Sequence, residues 1–269
     1  MPDWVSDWLE RLSAGQLALV FCAFFVGITW LGTLLVHPLM RRLLHRNESS
    51  NELIIHIAGT FGLVYAVLLG LLTVATFQNT KDLQDVVGRE ASSLSTIYRS
   101  TDGYTEPLRG ELKAELRDYT HYVIDKDWPA HRKGIVPIGG EHRLQVIRAT
   151  LMSFEPVTKT QELLHNELLH YLDAMMVSRE QRLETVNAAI PGVLWYVVVI
   201  GAFLTLAFLW MLHMELIPQI LLGGITAFFL GIMIFLIYAM DHPLQGAVSV
   251  PPDSFQSVYD QVMKWDEPV

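Results

Sequence analysis

Residues 53–80 read LIIHIAGTFGLVYAVLLGLLTVATFQNT, and no Asp, Glu, Lys or Arg interrupts them. A helix needs about 20 consecutive apolar residues to cross roughly 30 Å of hydrocarbon. The stretch therefore predicts a membrane span over about 53–77, ending at the polar Gln78-Asn79-Thr80. Leu83, Val86, Val87, Leu94, Ile97 and Tyr98 keep helical spacing beyond it, so one helix is expected to leave the membrane without stopping, until about Ser100.

Working outward, residues 14–36, 186–212 and 217–240 are also free of Asp, Glu, Lys and Arg. The first span should close at Pro38 and the arginines Arg41, Arg42 and Arg46. Only His213-Met214-Glu215 parts the third span from the fourth, which predicts a tight antiparallel hairpin, and Pro191 predicts a kink at the entry to the third. The expected fold class is an all-α polytopic membrane protein with four transmembrane helices and a helical extramembrane middle domain. Hydrophobic residues make up 51% of the chain and charged ones only 17%, against about 25% charged in a soluble domain. That excludes an ordinary soluble enzyme and a secreted disulfide scaffold. The formal net charge of −9 lacks the basic footprint of a nucleic-acid binder. The single cysteine, Cys22, cannot form an intrachain disulfide and reads as a small apolar residue.

Four segments are expected along the chain. Residues 1–77 hold an interfacial helix, with Trp4, Val5, Trp8, Leu9 and Leu12 on one face of 3–13, and the first transmembrane hairpin. With Asp3, Asp7 and Glu10 and no Lys or Arg among the first ten residues, the first span reads as an uncleaved anchor. Residues 78–185 carry 14 of the chain's 19 basic residues and form the water-exposed domain: helices over about 105–128, 141–154 and from 158, with a loop from Pro129 to Gly140. Residues 186–240 form the second transmembrane hairpin. Residues 241–269 are a tail whose helix sets Phe255, Val258, Tyr259, Val262 and Trp265 on one side.

No local signature nominates a nucleophile, a phosphate loop or a cofactor, so no enzyme activity, cofactor or catalytic residue is expected. Glu162-Leu-Leu-His165 and Glu167-Leu-Leu-His170 have the Glu-x-x-His spacing of di-iron bundles, but there the two units sit on different helices. Here they share one helix and read as a solvated face, so no metal site is assigned. His37 and His56 are the titratable groups nearest the apolar zones. In the second span Gly59, Gly62, Ala66, Gly70 and Thr73 form one stripe, which packs a neighbour or lines a pore. In the fourth, Gly223, Ala227 and Gly231 form a small-xxx-small packing ladder. On the helix leaving the second span, Glu90 is expected to meet a basic residue from another segment, Arg179 or Arg182.

Four stretches carry a family resemblance: GLVYAVLLG (62–70), GREASSLSTIYR (88–99), IPGVLW (190–195) and DHPLQG (241–246). In their order and spacing, with the layout of two spans, a helical domain and two spans, the sequence resembles the bestrophin-like domain of bacterial and plant membrane proteins. The resemblance implies kinship with bestrophins, pentameric anion channels whose pore is lined by the second helix. It implies a homo-oligomer in the lipid bilayer that passes small anions, with no nucleic-acid partner. The other reading of these residues is a membrane-anchored binding or signalling module whose middle domain recognises a partner.

The resemblance implies a cytoplasmic middle domain, whereas the charge count predicts the opposite. The first connection holds Arg41, Arg42 and Arg46, against Arg11 in the N-terminal tail and Lys264 in the C-terminal tail. The positive-inside rule then puts that connection in the cytoplasm, and both termini and the middle domain outside a cell membrane. A reporter that is active only after export, fused after Val269, is expected to be active; activity confined to a cytoplasmic reporter at that point reverses the orientation.

Overall fold

The computed structural model of the protein describes the backbone of residues 13–43, 48–212, 214–245 and 248–266, and their side chains apart from 37–50 and 266. The interfacial helix expected over 3–13 falls outside these residues but for Ser13. Among the described residues all regular structure is helical. The chain divides into two compact units, one built from the residues up to Gln78 with Ala189–Asp241, the other from Asn79–Ala188 with the residues from His242 on.

Among the described residues the first unit holds four helices long and apolar enough to cross a membrane. These are α1 (Ala14–Leu43), the first part of α2 (Glu48–Ser100), α7 (Gly192–Met211) and α8 (Leu216–Asp241). The apolar span of α1 covers Ala14–Val36, as expected, while the helix itself continues through Pro38 to Leu43. A proline removes one backbone donor and bends a helix, and the turns on either side carry it. At Pro191 the kink is instead a break. A 3-10 turn at Thr185–Asn187 is followed by extended backbone, and Pro191 precedes the first residue of α7. Asp241, at the end of α8, fixes this entry: its carboxylate accepts from Ile190 N–H at 2.6 Å and from Trp195 Nε1 at 3.0 Å.

The helices of this unit approach closely where glycine meets an aromatic side chain. Trp210 Nε1 donates to Thr29 O at 3.1 Å, and the ring covers Gly32. Trp30 Nε1 donates to Ile220 O at 3.2 Å beside Gly224. Tyr65 Oη donates to Val198 O at 2.7 Å with its ring on Gly201. The ladder Gly223, Ala227 and Gly231 is buried against α1: a Cβ on Gly231 would sit 3.0 Å from Cys22 Cα and one on Gly223 3.3 Å from Thr29 Cγ2. In a bilayer such small residues let backbones reach van der Waals contact.

The second unit packs the remainder of α2 with α3 (Leu108–Tyr122), a π turn (Val123–Asp127), α4 (Trp128–His131), α5 (Gly139–Met152), α6 (Lys159–Glu184) and α9 (Asp253–Val258). Thr158 and Gln161 close a capping box at the start of α6, satisfying donors that a helix end leaves free. Leu94, Leu116, Ile147 and Leu168 from four helices are fully buried in its core. The C-terminal segment belongs to the same core: Phe255 and Met263 are buried, and Trp128 Nε1 donates to Val250 O at 2.9 Å. Trp265, expected on the same side as Phe255, is 83% exposed, whereas Phe255 is buried. A π turn at Tyr259–Met263 adds a residue to the repeat, so Met263 takes the inward position. The expected loop from Pro129 begins later, because Pro129 occupies the first turn of α4, where its missing N–H costs nothing.

Gly231→Ala should lower the melting temperature of the detergent-solubilised protein, with a loss of about 1–3 kcal/mol from overpacking against the Cys22 backbone. Gly27→Ala on α1, where a Cβ meets nothing within 4 Å, should not. Equal melting temperatures for the two variants would contradict the close α1–α8 contact.

Candidate functional site

In its membrane-spanning part α2 presents three faces. Tyr65, Leu69, Leu72 and Thr76 are buried against the unit's other helices. Leu63, Val64, Val67, Leu71 and Val74 form an aliphatic face, each 56–68% exposed. Between the two, at about 100° of rotation per residue, lies the stripe Gly59, Gly62, Ala66, Gly70 and Thr73. Gly59 and Ala66 are exposed, and Gly62, Gly70 and Thr73 half-buried. A Cβ added to Gly59, Gly62 or Gly70 would meet nothing within 4 Å. The Thr73 hydroxyl donates to Leu69 O of its own helix at 2.8 Å. The structure thus brings the five stripe residues onto one smooth face that no other part of the chain covers among the described residues. His56 lies exposed near the start of the span, and the side chain of His37 is outside the described set.

The second feature is a cluster of ionisable groups inside the water-facing unit. Glu90 and Arg182 are both fully buried and pair in a bidentate fork, Nε to Oε2 at 2.7 Å and Nη2 to Oε1 at 3.0 Å. Tyr119 Oη adds a third bond to Glu90 Oε1 at 2.9 Å. Arg179, the other candidate partner of Glu90, pairs with Asp127 instead, Nη1 to Oδ2 at 2.9 Å. Asp127 Oδ2 also lies 4.0 Å from Arg182 Nη2, which joins the two pairs. Two carboxylates and two guanidiniums make the cluster formally neutral. Close approach requires glycine at 140, since a Cβ there would stand 2.9 Å from Asp127 Oδ2.

His131 completes the cluster. Its Nδ1 is 3.2 Å from Arg182 Nη1. A guanidinium only donates, so Nδ1 accepts and the ring proton belongs on Nε2. Burial, reinforced by the charges of Arg182 and Arg179, drives the His131 pKa down to about 3 and keeps the ring neutral. Burial opposes the charge of Arg182, but Glu90 outweighs it and holds the guanidinium above its usual range. The Trp128 ring lies over the same guanidinium, 5.0 Å from centroid to Cζ. Desolvation and the nearby Glu90 carboxylate raise the Tyr119 phenol. Each of the three guanidinium nitrogens of Arg182 therefore has a hydrogen-bond partner, which helps make so deeply buried a charge tolerable.

Sequence reasoning missed Asp127 and His131. Both sit where regular periodicity fails, Asp127 on the π turn and His131 in a segment expected to be loop. The Glu-x-x-His segment also differs from the solvated face expected of it. His165 is buried, with Nδ1 2.8 Å from Tyr104 Oη, while Glu162 pairs with Lys159 at 3.0 Å. Among the described residues no three His, Cys, Asp or Glu side chains converge as metal ligands.

Four apolar helices carrying a helical water-facing unit define a multi-pass, all-α membrane protein. The Bestrophin-like domain matches residues 23–255, so the chain belongs to the bestrophin-like family. Solved structures share its fold. A bacterial bestrophin homologue from Klebsiella pneumoniae superposes with a TM-score of 0.62 at 13% identity, over 91% of this chain and 99% of that one. A single-residue variant of that homologue gives 0.66 at 12% identity, over 90% and 98%. A variant of a crystallised membrane protein gives 0.68 at 11% identity, over 90% and 97%. No curated protein matches the chain by sequence.

Arg182→Met strands Glu90 in the core and should destabilise the protein by about 3–5 kcal/mol. The double variant Glu90→Met/Arg182→Met should recover most of that loss. Unfolding measured in one detergent for wild type, both single variants and the double variant decides this; additive losses would show that the two groups act independently.

Proposed function

We propose that the protein is an oligomeric, bestrophin-type channel for small anions whose path runs along the small-residue face of α2. The observation that carries this reading is the separation of faces on that helix. The exposed aliphatic face suits acyl chains, whereas Gly59, Gly62, Ala66, Gly70 and Thr73 offer little side chain to lipid, and a Cβ at any of the three glycines would meet nothing within 4 Å among the described residues. Glycine costs about 1 kcal/mol relative to alanine in a helix interior, so three glycines on one face call for a use. The stripe carries no ionised group, as suits a narrow apolar passage, which gates by dewetting and needs no charge. Membership of the bestrophin-like family supports the channel class, and kinship with anion-conducting bestrophins supports the choice of ion. In this reading the homo-oligomer sits in a cell membrane with both termini and the water-facing unit outside, as the arginine count of the first connection favours.

Gly62→Leu, Ala66→Leu and Gly70→Leu, made singly, separate the outcomes. Loss of detergent-stable oligomeric mass identifies the face as a subunit contact. Intact mass with altered anion flux in vesicles identifies it as the lining of the path, the expected result for at least one variant. Unchanged mass and unchanged flux in all three would sink the proposal and leave the reading in which the spans only anchor a partner-binding unit.

A further inference from the structure

The connection between α4 and α5, Arg132-Lys133-Gly134-Ile135-Val136-Pro137-Ile138, combines a fixed base with an apolar, cationic rim. Lys133 N–H donates to Ala130 O at 2.9 Å, Gly134 N–H to His131 O at 2.9 Å and Ile135 N–H to Ala130 O at 3.0 Å. Gly134 has φ +71°, a conformation glycine adopts without strain. At the other end Gly139 packs under the Tyr122 ring, and Gly140 against Arg179 and Asp127. Between these anchors Ile135 is 57% exposed, Val136 41% and Ile138 82%. Arg132 and Lys133 are exposed and make no ion pair among the described residues.

Contacts within the water-facing unit say which end of it this loop occupies. A Cβ on Gly134 would stand 3.1 Å from Gln245 Nε2 and 3.6 Å from Asn187 Oδ1, and Gln245 Nε2 itself donates to Val186 O at 2.6 Å. Asn187 is five residues before α7 begins at Gly192, and Gln245 four residues after α8 ends at Asp241. Even fully extended, those connections reach only about 17 and 14 Å. The loop base therefore lies against both chain segments that enter the bilayer. Val157, 90% exposed, precedes the opposite end of α6, whose 26 residues span about 39 Å.

We propose that Arg132–Ile138 is a docking loop for the anionic headgroups of the bilayer that the protein spans. Ile135, Val136 and Ile138 would enter the interfacial zone, and Arg132 and Lys133 would pair with lipid phosphates. An aliphatic side chain left in water beside the membrane gains by entering that zone, and long cationic side chains keep their charged heads among the phosphates. Each cation held near an anionic surface strengthens association by about fivefold. The loop thereby ties the base of the water-facing unit to the lipid through the same turn that carries His131 of the buried cluster. This inference rests on the membrane spans alone and holds whether or not the α2 face conducts.

The test uses the full chain in vesicles, with Cys22→Ala removing the native thiol and a fluorophore attached to Ile138→Cys or, as the distant control, Val157→Cys. Vesicles contain phosphatidylcholine with or without phosphatidylglycerol, and either a brominated lipid or aqueous iodide serves as quencher. The expected result is lipid quenching at position 138 several-fold stronger than at 157. It should increase with phosphatidylglycerol, and the increase should vanish in Arg132→Gln/Lys133→Gln. Equal iodide quenching at the two positions would overturn the proposal. Protection of position 138 from both quenchers would also overturn it, by placing a second copy of the chain over the loop. Lipid quenching indifferent to phosphatidylglycerol would refute the role of the two cations. Anion flux read on the same vesicles reports the channel reading separately.

Discussion

Inside hydrocarbon a polar donor has no water to turn to, and this constraint shapes the membrane-spanning unit. Threonines solve it locally: Thr29, Thr76, Thr205 and Thr226 each donate to the carbonyl four residues back on their own helix. Trp30, Tyr65 and Trp210 have no such option, because an indole N–H or a phenol O–H reaches too far. Each donates to a backbone carbonyl of a different helix. A ring does so by coming close to the neighbouring backbone, and at each place it lies beside a glycine: Gly224, Gly201 and Gly32. Hydrogen-bond satisfaction and close packing are thus one requirement met by one pair of residues. It determines which helices touch and at what depth.

The water-facing unit meets the converse problem, charge enclosed by protein. Its core holds two arginines and two carboxylates because each finds its counterpart within the same enclosure, with Tyr119 and a neutral His131 taking up further bonding capacity. Such a cluster contributes little net stability compared with apolar packing of the same volume. What it contributes is registry. A fork of two bonds between Glu90 and Arg182 is satisfied in one relative position of α2 and α6 only. Arg179, one helical turn earlier on α6, is directed to Asp127 on the π turn. Sliding α6 by a turn would leave buried charges without partners, so the alternatives are excluded by several kcal/mol.

Much of this was legible in the sequence. The four apolar windows gave the spans, since the hydrocarbon thickness imposes a length that few other structures need. Unbroken spacing from Leu83 to Tyr98 gave the long continuation of α2 to Ser100, and Arg179 and Arg182, on the helix that returns to the membrane, were the basic residues expected to meet Glu90. The missed parts share one cause. Asp127 and the inward turn of Met263 depend on π turns, which insert a residue into the 3.6-residue repeat, and a periodicity argument loses phase there. The break at 188–191 depends on a carboxylate more than 45 residues away in sequence, Asp241. Nothing local to Pro191 distinguishes a kink from a stop.

The two small-residue stripes show where sequence patterning ends and packing begins. Gly223, Ala227 and Gly231 on α8 and Gly62, Ala66 and Gly70 at the centre of the α2 stripe have the same spacing, the same composition and similarly apolar surroundings. Spacing establishes only that a helix face is smooth. What covers the face is decided by other residues. On α8 the cover is α1, whose Cys22 backbone and Thr29 methyl fill the space a side chain would take. On α2 the large residues that bind it to its own unit, Tyr65, Leu69 and Leu72, stand to one side of the stripe and not across from it. The aliphatic residues that suit lipid stand on the other. A helix with two ordinary faces needs only one set of large residues to pack and another to meet acyl chains. The third, smooth face of α2 is accounted for by neither requirement, since a Cβ at Gly59, Gly62 or Gly70 would still meet nothing within 4 Å.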